Sequence, residues 1–306
     1  MGKSDSTLLK IIMKCSCQEH FLFNFIHVYQ TLENLEVNKN ISLVLSGGGA
    51  RGLAHIGVIE ELERQNFKIN SIVGTSIGAL IGGIYAMGKL QEFKEWILKL
   101  NRYSFLRLID FSFKNGGFIK GEKILNILSL AIPGENIEDL KIPFACLATD
   151  IQAHQPVYIN SGNIYDAIRA SIAIPSVFTP VIKDNMVLVD GGVLNNIPID
   201  YAIKTNPEDK ILAVNVNARI PFEGKALPAP SSKLGMLRLT NRTISLMIET
   251  IGNFNLKEHA PDFMINISRY SCELYEFYKA QSQIEYGRKC AREQLRNYLT
   301  PGHNLV

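Results

Sequence analysis

The sequence predicts an α/β fold with a mostly parallel central sheet. Three observations carry this expectation: short apolar runs bounded by glycine clusters, helical-period segments alternating with them, and two glycine-rich turns at strand-to-helix junctions. The run at 41–45, Ile-Ser-Leu-Val-Leu, suits a strand buried in a parallel sheet. After it comes Ser46-Gly-Gly-Gly-Ala-Arg-Gly52, and then Leu53, Ile56, Val58, Ile59 and Leu62 recur at helical spacing through residue 65. A second strand at 71–73, the sharp turn Gly74-Thr-Ser-Ile-Gly78 and a helix at 79–87 complete a strand–loop–helix–strand–turn–helix unit. Two strands joined through a helix pair in parallel.

Further along, 90–100 and 121–130 read as helices. The aromatic-rich stretch 103–118 between them lacks clean periodicity and is assigned as a cap or mouth element. Strands are expected at 144–149, 157–160, 187–189, 211–216 and 263–267, with helices at 165–171, 234–257 and 274–299. The Pro- and Ser-containing stretch 220–232 is the expected mobile loop. No internal repeat is present. The chain therefore divides into an N-terminal extension, 1–40, with one docked amphipathic helix, a catalytic core, 41–216, and a mostly helical C-terminal part, 217–306, packed on the same domain.

Composition narrows the function classes. With 306 residues and 46% hydrophobic content, one large domain with a sizeable core is expected. A net charge of +3 lacks the concentrated positive charge of a nucleic-acid binder, while a weak attraction to anionic membranes stays open. The five cysteines (Cys15, Cys17, Cys146, Cys272, Cys290) include no CxxC pair, so neither a disulfide framework nor a metal site is expected, and a reducing, cytoplasmic setting fits. No apolar stretch reaches about 18 residues, the length that spans a bilayer. Peripheral membrane contact remains open. Met1-Gly2 followed by Ser6 matches the loose myristoylation pattern, with Cys15 and Cys17 as conceivable palmitoylation sites, against the plainer reading of an extension.

The chemistry is concentrated at the glycine-rich turns. Gly74-Thr75-Ser76-Ile77-Gly78 is a GxSxG sequence between a strand and a helix, the setting of a nucleophile elbow. The flanking glycines Gly74 and Gly78 relieve the crowding that such a turn imposes, and the Ile77 N–H at the helix start is a potential oxyanion donor. The loop Gly47-Gly48-Gly49-Ala50-Arg51-Gly52 also fits GxGxxG spacing. A dinucleotide site, however, needs an acid at the end of the second strand, where this chain has Val73-Gly74-Thr75-Ser76. The loop's other use is to aim successive N–H groups at an oxyanion, with Arg51 bracing the loop or meeting a substrate phosphate. For the base, Asp190 follows an apolar strand and precedes Gly191 and Gly192, which leave room beside the carboxylate. A Ser76–Asp190–His259 triad is the alternative within enzymes, although His259 lies in Lys257-Glu-His-Ala-Pro261, expected to be a helix end.

Together the three sequences resemble the patatin-like phospholipase family: a glycine-rich loop ending Arg-Gly, then GxSxG, then Asp-Gly-Gly. A fourth similar block runs from Ala170 to Pro180. The resemblance covers about 41–216. It implies a three-layer αβα domain, a Ser76–Asp190 dyad, hydrolysis of acyl esters in phospholipids or other acyl lipids, and no metal or other cofactor. A non-catalytic lipid-binding protein on the same fold is the rival outside enzymes.

Overall fold

The computed structural model describes residues 39–104, 122–175, 177–223 and 236–299. Expectations that fall on 1–38, most of 103–118 and most of 220–232 lie outside these residues, the acylation pattern at Gly2 included. Lys39–Arg296 form one compact unit.

Its centre is an eight-stranded mixed sheet. The strands are β1 (Asn40–Leu45), β2 (Lys68–Thr75), β3 (Phe144–Asp150), β4 (Gln155–Ile159), β5 (Val181–Lys183), β6 (Met186–Asp190), β7 (Lys210–Ala218) and β8 (Phe263–Ser268). They lie in the order β5-β6-β3-β2-β1-β7-β8, with β4 paired to β3. The β3-β2-β1-β7-β8 stretch is parallel throughout, and β4, β5 and β6 are antiparallel additions at one end. The chain steps outward from β1 through β2 to β3, then returns to place β7 on the other side of β1. The carboxyl ends of β1, β2 and β7 thus meet at a topological switch point, where open α/β sheets form their ligand crevice.

The helices are α1 (Ala54–Arg64), α2 (Ile77–Ala86), α3 (Leu90–Leu98), α4 (Glu122–Ala131), α5 (Ile164–Ser171), α6 (Ile199–Thr205), α7 (Met236–Glu258) and α8 (Ala280–Leu299). Strand alternation sorts the core onto two faces. Val44, Val73, Ala145, Ile211 and Ala213 form one cluster with Ile199 and Ala202 of α6 and with Leu256 of α7. On the other face, a Cβ at Gly82 of α2 would touch Ile72, Leu45 and Phe144, so this nearly all-apolar helix lies directly on the sheet. α1 and α8 pack by the same device: Gly57 meets the Ile284 carbonyl and Gly287 that of Ala54, with no room for a side chain at either. Helices on both faces make three layers.

Two elements escape the sequence patterns. β5 is three half-exposed or exposed residues, too short to show a period. α6 follows Pro198 and is only seven residues long. The expected helix at 274–299 starts at Ala280, preceded by a 3₁₀ turn at Phe277–Lys279.

Candidate active site

Ser76 stands between β2 and α2 with φ 56° and ψ −123°, a conformation that costs a non-glycine residue roughly 1–3 kcal/mol. The surrounding packing enforces it. A Cβ on Gly74 would lie 2.5 Å from the Gly78 carbonyl, and one on Gly78 would strike the Leu45 carbonyl. The Ser76 N–H donates to the Ser171 hydroxyl at 2.9 Å, which in turn donates to the Leu147 carbonyl at 2.7 Å. Thr75 donates its hydroxyl to the Asn195 carbonyl. α5, capped by the Asn163 side chain, carries Ser171 to this point at its last residue.

Asp190 reaches the serine through strand register. Thr75 of β2 pairs with Leu147 of β3, and the next β3 residue, Ala148, pairs with Asp190. β6 runs antiparallel, so the carboxylate arrives across β3 rather than at the end of a parallel strand. Its backbone N–H donates to the Ala173 carbonyl, inside the 170–180 block. The carboxylate accepts a hydrogen bond from the Gly192 N–H at 2.8 Å, and the Ser76 side chain lies close enough to favour its ionised form. Burial pushes its pKa up to about 6, with the Ser76 side chain and the Gly192 N–H pulling the other way. Gly191 has no room for a side chain, since its Cβ would strike the Leu147 carbonyl.

The glycine loop lies against the serine: a Cβ at Gly47 would come within 3.1 Å of the Ser76 Cβ. Gly49 has φ 59° and faces the Leu274 carbonyl, so only glycine suits it. Two of the loop's N–H groups are committed, Gly47 to the Asn196 carbonyl and Ala50 to that of Leu274. Those of Gly48 and Gly49 make no hydrogen bond to a described residue. Their direction is set from behind. Asn217 Nδ2 donates to the Gly47 carbonyl at 2.6 Å, and Arg51 Nε donates to the Gly48 carbonyl at 3.2 Å. In a planar trans peptide the N–H points opposite to the C=O, so these bonds turn the Gly48 and Gly49 N–H groups the other way. Arg51 is a buried brace, its Nη1 also donating to the Arg269 carbonyl; burial first, then the Arg269 charge, lowers its pKa to about 10. Gly52 admits the Ile77 side chain where a Cβ would stand.

A cavity of about 250 Å³ opens over this arrangement, with Ser76, Asp190, Gly48, Gly49 and Ile77 among its described lining. Its wall is apolar, built from Phe93, Trp96, Ile97, Leu125, Leu128 and Ile248. No described histidine lines it. His259 follows α7, its N–H donating to the Asn255 carbonyl, and is not among the residues lining the cavity that holds Ser76. His55 is buried behind the loop, its Nε2 2.9 Å from the Ser46 carbonyl. Burial depresses its pKa to about 4, leaving it neutral, and its Nδ1 has no partner among the described residues. Cys146, Cys272 and Cys290 are free and buried. Among the described residues no group of three or more acidic, His or Cys side chains is arranged to hold a metal, and no helix is long and apolar enough to cross a membrane.

Ser171, Asn196 and Asn217 are the positions that motif reading missed. Ser171 sits in a block noticed only as a unit, and the two asparagines belong to no pattern.

A strained serine between strand and helix, with a buried aspartate and a glycine loop beside it, defines the class of α/β proteins built around a nucleophile elbow. The chain belongs to the patatin-like phospholipase family, whose model matches residues 43–203. An uncharacterized NTE family protein of Mycobacterium tuberculosis is 29% identical over 84% of this chain and 92% of its own length. Lysophospholipase nte1 of Aspergillus fumigatus is 31% identical over 59% of the chain, which spans 12% of that protein. Neuropathy target esterase sws of Drosophila persimilis is 34% identical over 52%, again 12% of the relative. Among solved structures, VipD from Legionella pneumophila aligns at a TM-score of 0.43 and 14% identity, covering 84% of this chain and 67% of its own.

Proposed function

We propose that this chain hydrolyses acyl esters of lipids, with Ser76 as nucleophile and Asp190 as its only side-chain base. The observation that carries the reading is the placement of the Ser76 side chain beside the buried Asp190 carboxylate, at the foot of an apolar cavity. Family membership and the names of the fungal and insect relatives support the lipid-ester class. In the first half-reaction Ser76 Oγ attacks the ester carbonyl while Asp190 takes its proton. The developing oxyanion meets the Gly48 and Gly49 N–H groups and the Ile77 N–H at the start of α2. Collapse expels the alcohol, which receives the proton from Asp190, and an acyl-Ser76 remains. Water, giving its proton to Asp190, then releases the fatty acid and restores the serine. A pKa near 6 keeps the aspartate ionised at neutral pH yet basic enough to share a proton. Gly74, Gly78 and Gly191 serve sterically, admitting the backbone approaches that aim the two reacting groups, while Gly192 leaves room for the Asp190 carboxylate and donates its N–H to it.

A fluorophosphonate probe tests the reading. Labelling of the wild type that disappears in Ser76→Ala is expected. Absence of wild-type labelling would favour a non-catalytic lipid-binding protein. His259→Ala should keep full turnover, and its loss would restore the triad.

A further inference from the structure

Three successive peptide groups carry the chain into the glycine turn, and each has its carbonyl held by a side-chain donor. Asn217 holds that of Gly47, and Arg51 that of Gly48. The first in the series is Ser46, whose carbonyl lies 2.9 Å from His55 Nε2. His55 is the second residue of α1, is fully buried and lies outside the described lining of the cavity, so it stands behind the loop rather than in the reaction space. A carbonyl only accepts, so Nε2 carries the imidazole hydrogen and Nδ1 is left a bare acceptor. Nδ1 finds no partner among the described residues, and an orphaned buried acceptor costs about 1–3 kcal/mol. What the ring supplies against that cost is one N–H, aimed at one carbonyl. Burial outweighs the Ser46 bond and lowers the His55 pKa to about 4, so the ring keeps that single hydrogen while Asp190 titrates near 6.

Ser46 is held on its other sides as well. Its N–H donates to the Val214 carbonyl at 3.1 Å, and its hydroxyl accepts from the Val216 N–H at 3.0 Å. Across the next peptide, the Gly47 N–H donates to the Asn196 carbonyl at 3.2 Å, pointing away from the Ser46 carbonyl as a trans peptide requires. The Ser46 carbonyl also borders the elbow, since a Cβ on Gly78 would lie 2.8 Å from it. Gly47 has no side chain to resist rotation, so the restraint on this peptide must come from hydrogen bonds to it.

We propose that His55 is a positioning residue for the oxyanion loop: its Nε2–H fixes the Ser46–Gly47 peptide beside the elbow and, through Gly47, the direction of the Gly48 and Gly49 N–H groups. It neither takes a proton nor meets the substrate. The catalytic consequence rests on the acyl-hydrolase reading, whereas the clamp itself is a property of the loop.

The test uses the full chain, p-nitrophenyl butyrate as a monomeric ester, and three variants. Glutamine carries its amide nitrogen as many bonds from Cβ as the histidine Nε2 and can donate to the same carbonyl, whereas asparagine is one bond short and leucine has no donor. His55→Leu and His55→Asn should lose about tenfold to a hundredfold in kcat with KM little changed, the scale of misaimed oxyanion donors, and His55→Gln should recover most of that loss. A packing role predicts the reverse: leucine tolerated best, and losses that follow the unfolded fraction seen by near-UV circular dichroism. A His55→Leu kcat within about twofold of wild type, or a His55→Gln no better than His55→Asn, overturns the proposal. If His55→Leu fails to fold, the comparison of His55→Gln with His55→Asn decides by the same rule. Amide hydrogen exchange reads the clamp without turnover: His55→Asn should speed exchange at Gly47 by about tenfold or more, and His55→Gln should leave it close to wild type. If the wild type hydrolyses no ester and takes no fluorophosphonate, the acyl-hydrolase reading falls, and the exchange measurement still judges the clamp. Unchanged exchange at Gly47 in His55→Asn overturns it.

Discussion

The two glycine-rich turns look alike in sequence and work by opposite means. At 74–78 the glycines are packing devices: they let backbone touch backbone, and the strain at Ser76 is held by immediate neighbours, Leu45, Gly78 and Ser171. At 47–52 the glycines leave N–H groups uncovered, and the direction of those groups is imposed by Asn217 and Arg51. One turn is held by steric exclusion, the other by hydrogen bonds to its carbonyls. Damage to the first should therefore register in stability, and damage to the second in catalysis.

The largest expected effect lies at the carboxylate that serves the elbow. Asp190→Asn should cut kcat by about a thousandfold, the scale of a lost general base. It should also stabilise the fold. The folded pKa of Asp190 is raised, so as pH rises from about 3.8 to about 6 the unfolded state ionises first and stability falls, leaving a full cost above 6 of roughly 3 kcal/mol if the shift is taken whole. Denaturant unfolding at pH 8 should find the variant at least as stable as the wild type, with the difference shrinking as pH falls through 6 toward 4.

Asn217→Ala tests the loop. The Gly47 carbonyl loses its 2.6 Å partner, keeps only the weak 3.4 Å contact from Asn196, and the Gly48 peptide is free to rotate. We expect kcat to fall by about tenfold to a hundredfold with KM little changed, less than outright loss of an oxyanion donor, and unfolding within about 1 kcal/mol of wild type.

The pH profile of kcat/KM should show an acidic limb falling about tenfold per pH unit below 6, because only ionised Asp190 accepts the serine proton. An acidic limb abolished in His259→Ala would mean instead that histidine is the base.

Ser171→Ala tests the elbow. It leaves the Ser76 N–H and the Leu147 carbonyl buried and deprived of the bridging hydroxyl, which should cost about 1–3 kcal/mol in unfolding free energy. The effect on kcat should be only a few-fold, since packing around Gly74 and Gly78 still dictates the serine backbone. If Ser171→Ala harmed catalysis more than Asn217→Ala, the contrast between the two turns would be wrong.

Much of this was legible before any coordinates. The β1-loop-α1-β2-turn-α2 unit follows from apolar runs and glycine spacing, because buried parallel strands and the helices that cover them leave strong local periodicities. β5 and α6 left no such mark. Both are short, and α6 is held by its contacts with β1, β2 and β7 rather than by its own seven residues.

The same division runs through the site. Residue types at fixed spacing were enough to name the groups of the proposed chemistry: a serine in a strand-to-helix turn flanked by glycines, a loop without side chains, and an aspartate followed by two glycines. These are requirements on local backbone sterics, and they show as residue types at fixed spacing. Only the tertiary structure decided how those groups are aimed. Asn217 lies 170 residues from the carbonyl it clamps, Ser171 lies 95 from the N–H it satisfies, and Asp190 meets Ser76 through the register of an antiparallel strand. A hydrogen bond across such a separation asks only for one polar side chain at one point in space, and no local pattern in the chain records where that point will be.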